Sequence, residues 1–138
     1  MNPQRISIGR AINIGLIWVN GPVMLFLIGT PALALVGVPM LLKVLDVPTT
    51  SASAFVAGAT VPSLVIGFVG AWTWWSVTIP KWRLWAYERV DDIPALKARA
   101  VAVGLTWPDG HVFEKTEIKS EEHRRREREL DPTQRPLQ

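Results

Sequence analysis

The chain contains no cysteine, which excludes disulfides, thiolate metal sites, iron–sulfur clusters and cysteine nucleophiles within it. Histidine occurs only at His111 and His123, without HExxH or paired-imidazole spacing. Charge is nearly missing from the first eighty residues, where only Arg5, Arg10, Lys43 and Asp46 carry it. Residues 11–42 and 47–80 hold no Asp, Glu, Lys, Arg or His at all. Proton relays and ion paths need ionisable groups inside the membrane, so their lack argues against a pump or coupled transporter built from this chain. It also removes the axial histidine that haem commonly takes. Beyond residue 80, twelve bases face eleven acids; that balance gives no cationic surface for nucleic acid.

What the chain does have is two long uncharged runs. A bilayer core of about 30 Å takes roughly 20 helical residues to cross, and residues 47–80 exceed that. That run leads into Trp72, Trp74, Trp75, Trp82 and Trp85, with Lys81 and Arg83 among them. Indole rings at headgroup level with cations just beyond mark a helix leaving a membrane. The first run mimics a secretory leader, since Ala32-Leu33-Ala34 follows a basic start. Its apolar stretch of about twenty residues exceeds the usual 7–15, so a retained span is expected. Asn20-Gly21-Pro22, Pro31 and Pro39 predict a bent helix. Either it crosses from about Ile14 to Leu41, or residues 6–19 lie along the interface and the crossing begins at Pro22. The apolar character of residues 12–19 favours the former.

The expected organisation is a lead over 1–13, a Pro-kinked span over 14–42 and an external loop over 43–53. A second span over 54–80 follows, then a juxtamembrane interfacial region over 81–118 and a charged helix with a loose tail over 119–138. Basic residues flank the outer ends of both spans, while the loop offers only Lys43. The positive-inside rule then puts both termini in the cytoplasm. The fold class expected is an all-α membrane protein, a two-helix transmembrane hairpin with a small, mostly helical cytoplasmic tail.

Within that tail, Asp91 or Asp92 caps a helix that Gly104 ends. Trp107-Pro108-Asp109-Gly110 reads as a turn, and residues 111–118 suit a short strand, giving a β-hairpin near 105–118. Ser120 caps a charged helix in which Glu121–Arg125 and Glu122–Arg126 have ion-pair spacing. With no apolar face, that helix should fray or project into solvent, and Asp131-Pro132 should stop it.

Ala59, Ser63, Gly67 and Ala71 recur every four residues on the second span. Small residues so placed let another backbone approach closely, a helix-packing face toward the first span or a partner. Asn13 and Asn20, seven apart, either bond across helices or serve the headgroups and the break at Pro22. Asp109, His111 and Glu114 lie close in sequence but lack ligand spacing, so solvated turn residues are the reading there, not a metal site or membrane enzyme. No cofactor is expected, and Ser63 has no base near it in sequence. The tail's arginines are interspersed with glutamates, as on a solvated helix.

Trp82-Arg83-Leu84-Trp85-Ala86-Tyr87, Arg89-Val90-Asp91-Asp92 and the run from Trp107 to Ile118 resemble small bacterial inner-membrane proteins with a Trp-rich juxtamembrane tail. The resemblance covers about a quarter of the chain and implies a bacterial cytoplasmic-membrane location, with no activity attached. The expected function is non-enzymatic: an accessory or assembly subunit that packs on other membrane helices or on itself, with its tail at the inner leaflet or on a partner. The alternative is a homo-oligomeric small-solute channel or carrier.

Overall fold

A computed structural model describes residues 5–131, and the side chains of all of these except 49–52. Four helices account for most of them: α1 Ile8–Val44, α2 Thr49–Tyr87, α3 Ile93–Ala102 and α4 Glu121–Leu130, with a 3-10 turn at Val112–Thr116. Both α1 and α2 contain stretches long and apolar enough to span a membrane. The chain forms two compact units, a central one of Pro22–Trp74 and a terminal one of the chain up to Gly21 with the chain from Trp75 onward.

Helix α1 starts at Ile8, earlier than expected, because the Ser7 hydroxyl accepts the Arg10 N–H at 3.3 Å. It is not broken at Pro22. Three π-helical turns, Leu16–Asn20, Leu25–Gly29 and Leu33–Gly37, each end two residues before Pro22, Pro31 or Pro39. A proline lacks the N–H for the carbonyl four residues back and crowds it. Widening the preceding turn relieves both problems, as in a π-bulge. Gly21 N–H accordingly reaches both Ile17 O and Leu16 O.

The connection is shorter than the expected 43–53. Val47 N–H donates to Leu42 O at 3.0 Å and Asp46 N–H to Lys43 O at 3.2 Å, with Asp46 at φ +54°. These are the two bonds of a Schellman cap. It turns the chain so quickly that α2 begins at Thr49 and the Thr/Ser run is already helical.

In the central unit, the Thr30 hydroxyl lies 2.7 Å from Phe26 O on its own helix and 3.0 Å from Ser63 O on α2. A Cβ on Gly67 would collide with Thr30 Oγ1 and sit 2.7 Å from Phe26 O, and one on Gly70 would sit 2.9 Å from the Phe26 ring. The two helices approach this closely only because both positions are glycine. Large apolar side chains face outward instead: Leu25, Ile28, Leu33 and Val36 on α1, and Val61, Leu64, Val65, Ile66 and Val69 on α2.

The terminal unit has the conventional core. Ala11, Ile12 and Val19 pack with Ile79, Trp82, Ala86 and Tyr87 of α2 and with Ile93, Leu96, Ala100 and Leu105. The Trp82 indole fills the space a side chain at Gly15 would need, and its N–H donates to Ala11 O at 3.0 Å. Helix α2 runs through Pro80 to Tyr87 instead of closing there. Pro80 leaves Ser76 O without its helical donor, and Ile118 N–H takes that place at 3.0 Å. Asp92 caps α3 through Ala95 N–H at 2.9 Å, and Gly104 at φ +70° ends it.

Among the described residues there is no strand, so the β-hairpin near 105–118 is replaced by the 3-10 turn. The physical reason lies in the bonds that segment makes. Glu114 accepts Gly110 N–H, Thr116 Oγ1 donates to Phe113 O, and Ile118 N–H is taken by α2, leaving no ladder to form. The residues after Asp131, including the expected stop at Pro132, lie outside those described.

Candidate functional site

The chemistry-bearing residues of the terminal unit gather around α2 where α4 and the 3-10 turn meet it. Arg83, 6% exposed, makes a two-pronged pair with Glu117, its Nη1 and Nη2 at 3.1 and 2.8 Å from the two carboxylate oxygens. Nη1 also donates to Glu127 at 2.9 Å. Lys119 bridges the same two acids, 3.0 Å from Glu117 and 2.9 Å from Glu127. Two cations and two anions are thereby removed from water together. A buried group of this kind adds little net stability over apolar packing but penalises any arrangement that separates its members.

Geometry follows from local sequence. Ser120 caps α4 by accepting His123 N–H at 3.2 Å. From that start, His123, Glu127, Leu130 and Asp131 fall at helical spacing on one side. Glu127 and Asp131 are buried and Leu130 packs on the core. The His123 ring lies 3.3 Å from Pro80 O. The expected solvent-projecting helix therefore has an inward face after all, and that face is ionic. The expected Glu121–Arg125 and Glu122–Arg126 pairs are not the ones formed; Glu121 pairs with Arg124 at 2.9 Å and Arg125 with Glu129 at 3.8 Å.

A second group ties the end of α4 to α3. The Lys97 ammonium donates to buried Asp131 at 2.8 Å and pairs with Asp109. Burial opposes charge on Lys97, yet its hydrogen bonds to Asp109 and Asp131 outweigh that and raise its pKa. Glu127 behaves in the mirror sense. Burial favours its neutral form, but the Arg83 guanidinium and then Lys119 hold its carboxyl below the usual range.

Between α2, α3 and the loop after it lies a half-open cavity of about 220 Å³, walled by Trp82, Leu96, Val101 and Trp107 and bordered by Arg83, Tyr87, Lys97 and Asp109. Both cations on its rim already hold carboxylates. Asp109, His111 and Glu114 are each engaged separately: Asp109 with Lys97, Glu114 with Gly110 N–H, and His111 stacked on Trp107 with ring centres 4.8 Å apart.

Of the residues placed at the membrane interface by sequence, Trp74 and Lys81 are exposed and Trp72, Trp75 and Trp85 are half-buried. Trp85 lies under the Arg89 guanidinium, 5.0 Å from its centre. Trp82 and Arg83 instead turn inward, toward Ala11 and toward Glu117 and Glu127. On the small-residue face, Gly67 and Ala71 are buried and Ala59 and Ser63 half-buried, with Gly67 and Ser63 against Thr30 of the same chain.

Sequence reasoning missed the Arg83–Glu117–Lys119–Glu127 group. The signal for it was the spacing of Glu127, Leu130 and Asp131 on α4, obscured by the charges on every other side of that helix. No family model, no curated protein and no solved structure matches this chain.

Proposed function

We propose that this is a non-enzymatic integral membrane protein of the bacterial inner membrane, whose two spans anchor a small cytoplasmic module that serves as an accessory or assembly subunit. The observation that carries the reading is the outward direction of the large apolar side chains. Leu25 is 72% exposed, Leu33 70% and Ile66 62%. A core helix of a water-soluble protein buries such residues; a helix surrounded by lipid does not need to.

Three further features support it. Ala11, Ile12, Gly15 and Val19 belong to the interior of the terminal unit, which favours a retained first span over a removed leader. Arg5, Arg10, Lys81 and Arg89 against a lone Lys43 favour both termini on the cytoplasmic side. The ionic groups saturate one another, as in a scaffold, and present no nucleophile–base pair. Because Gly67 and Ser63 are used against Thr30 within the chain, the surface left for a partner is the terminal unit more than the small-residue face.

The channel reading finds less support, since the Thr30, Thr60 and Ser63 hydroxyls are engaged by backbone carbonyls of their own chain. The test is an alkaline carbonate wash of native membranes, then purification in mild detergent with mass spectrometry of what co-elutes. Retention in the membrane with a stoichiometric membrane-protein partner is expected. Release by the wash contradicts the anchoring, and elution as a lone monomer contradicts the subunit role.

A further inference from the structure

We propose that segment 107–118 is a lipid-contacting strap, seating Trp107, Val112, Phe113 and Ile118 in the headgroup region of the bilayer and holding Lys115 against anionic lipid phosphates. This rests on the membrane reading above and names the surface by which the terminal unit lies on the inner leaflet.

The strap stands out by exposure. Among the described residues of the terminal unit, the large apolar side chains left exposed are Ile17 and Trp18, both on the candidate span α1, and four from the strap. Val112 is 70% exposed and Ile118 63%. These are not the loose ends of an unstructured loop. Gly110 N–H bonds the Glu114 carboxylate at 2.7 Å, and Thr116 Oγ1 bonds Phe113 O at 2.7 Å. The Trp107, His111 and Phe113 rings form one cluster with centres 4.8 to 5.3 Å apart. A fixed turn that presents Val and Phe outward, beside a Trp, has the composition of a headgroup-level contact.

Position selects lipid as the occupant. Ile118 N–H is bonded to Ser76 O on α2. Ser76 follows Trp75 directly and precedes Lys81 by five residues, about 7 Å of helix. One end of the strap is therefore pinned at the stretch of α2 whose indole and ammonium mark the interface. Charge agrees. Of the strap's acids, Glu117 is buried against Arg83 and Lys119, Asp109 pairs with Lys97 and Glu114 is held by Gly110 N–H, while Lys115 is exposed and makes no ion pair among the described residues. Lys115 is thus the strap's one cation, placed where it can meet an anionic headgroup.

The absence of native cysteine makes the test direct. Full-length Val112→Cys, Val65→Cys and Arg125→Cys variants, each carrying an environment-sensitive nitrobenzoxadiazole label, are placed in phosphatidylethanolamine–phosphatidylglycerol nanodiscs. Lipids with a nitroxide near the top of the acyl chain should quench the label at 112 about twofold, with a blue shift, and leave that at 125 in water. A Lys115→Glu change should weaken the quenching at 112 in these discs and not in neutral phosphatidylcholine discs. Quenching at 65 with an aqueous label at 112 overturns the strap while leaving the membrane reading intact. A label at 65 that stays unquenched even by lipids carrying the nitroxide deep in the acyl chain overturns the membrane reading itself. A label at 112 that is aqueous in lipid discs but shielded in native membranes shows a protein occupant and overturns the lipid assignment.

Discussion

Gly67 and Gly58 lie nine residues apart on α2, yet a methyl group has opposite consequences at the two positions. At Gly58 an added Cβ meets nothing within 4 Å, whereas at Gly67 it runs into Thr30 Oγ1 and a backbone carbonyl that cannot swing away. Gly67→Ala should therefore destabilise the central unit by about 1–3 kcal/mol, the usual range for overpacking. Gly58→Ala should be neutral or gain up to about 1 kcal/mol from helix propensity. Reversible unfolding of both variants in mixed micelles checks the pair, and equal effects would mean that the helices do not approach at Gly67. Arg83 offers the matching residue-scale prediction in the terminal unit. Arg83→Met leaves Glu117 and Glu127 sharing Lys119 alone, and removing one partner from a buried ionic group costs about 3 kcal/mol or more. Faster proteolysis within α4, measured against wild type at neutral pH, is the expected readout.

At the scale of elements, the behaviour of Pro80 explains how a proline can sit inside a helix that continues for another seven residues. Ser76 O is satisfied from outside the helix by Ile118 N–H, so the missing intrahelical bond becomes an anchor for the tail. Pro80→Ala should supply a helical N–H to Ser76 O, release Ile118, and raise amide hydrogen exchange at residues 117–119 while lowering it around the substituted position. Unchanged exchange at 117–119 would contradict the anchor. The docking of α4 carries a pH signature with a defined sign. Glu127 has its pKa lowered, so its contribution is complete above the ordinary carboxylate range and fades as pH falls below about 4. Lys97 has its pKa raised, so its contribution holds below the ordinary lysine value and is lost as pH rises through the higher one. Protection of α4 from protease should thus be greatest near neutrality and fall on acidification, and a Glu127→Gln variant should show a flatter acid limb.

Element scale is also where sequence legibility divides. Runs free of charge, caps such as Ser120 and Asp92, and the glycine that ends α3 act through neighbours a few residues away, so they could be read directly. The strand expected at 111–118 failed because what decides that segment is a bond to Ser76, some forty residues earlier in the chain. Arg83 and Trp82 were legible as a cation and an indole near the end of a candidate span, but not as inward-facing. Their partners, Glu117, Glu127 and Ala11, come from three distant places that only the fold brings together. The prolines of α1 were legible as points of adjustment within one helix, but not the π-turns that absorb each ring without ending it.

For the molecule as a whole, the proposition that governs the rest is that α1 and α2 cross lipid and return the chain to its starting side. The apolar exteriors of both helices and the placement of nearly all charge after residue 80 give it its physical basis. The most direct measurement is labelling of single cysteines by a membrane-impermeant maleimide in intact spheroplasts, with Asp46→Cys in the connection and Arg10→Cys and Arg125→Cys in the terminal unit. Labelling at 46 without permeabilisation, and at 10 and 125 only after it, is the expected result. Labelling of 10 and 125 on opposite sides, or equal access at all three sites before permeabilisation, would contradict it.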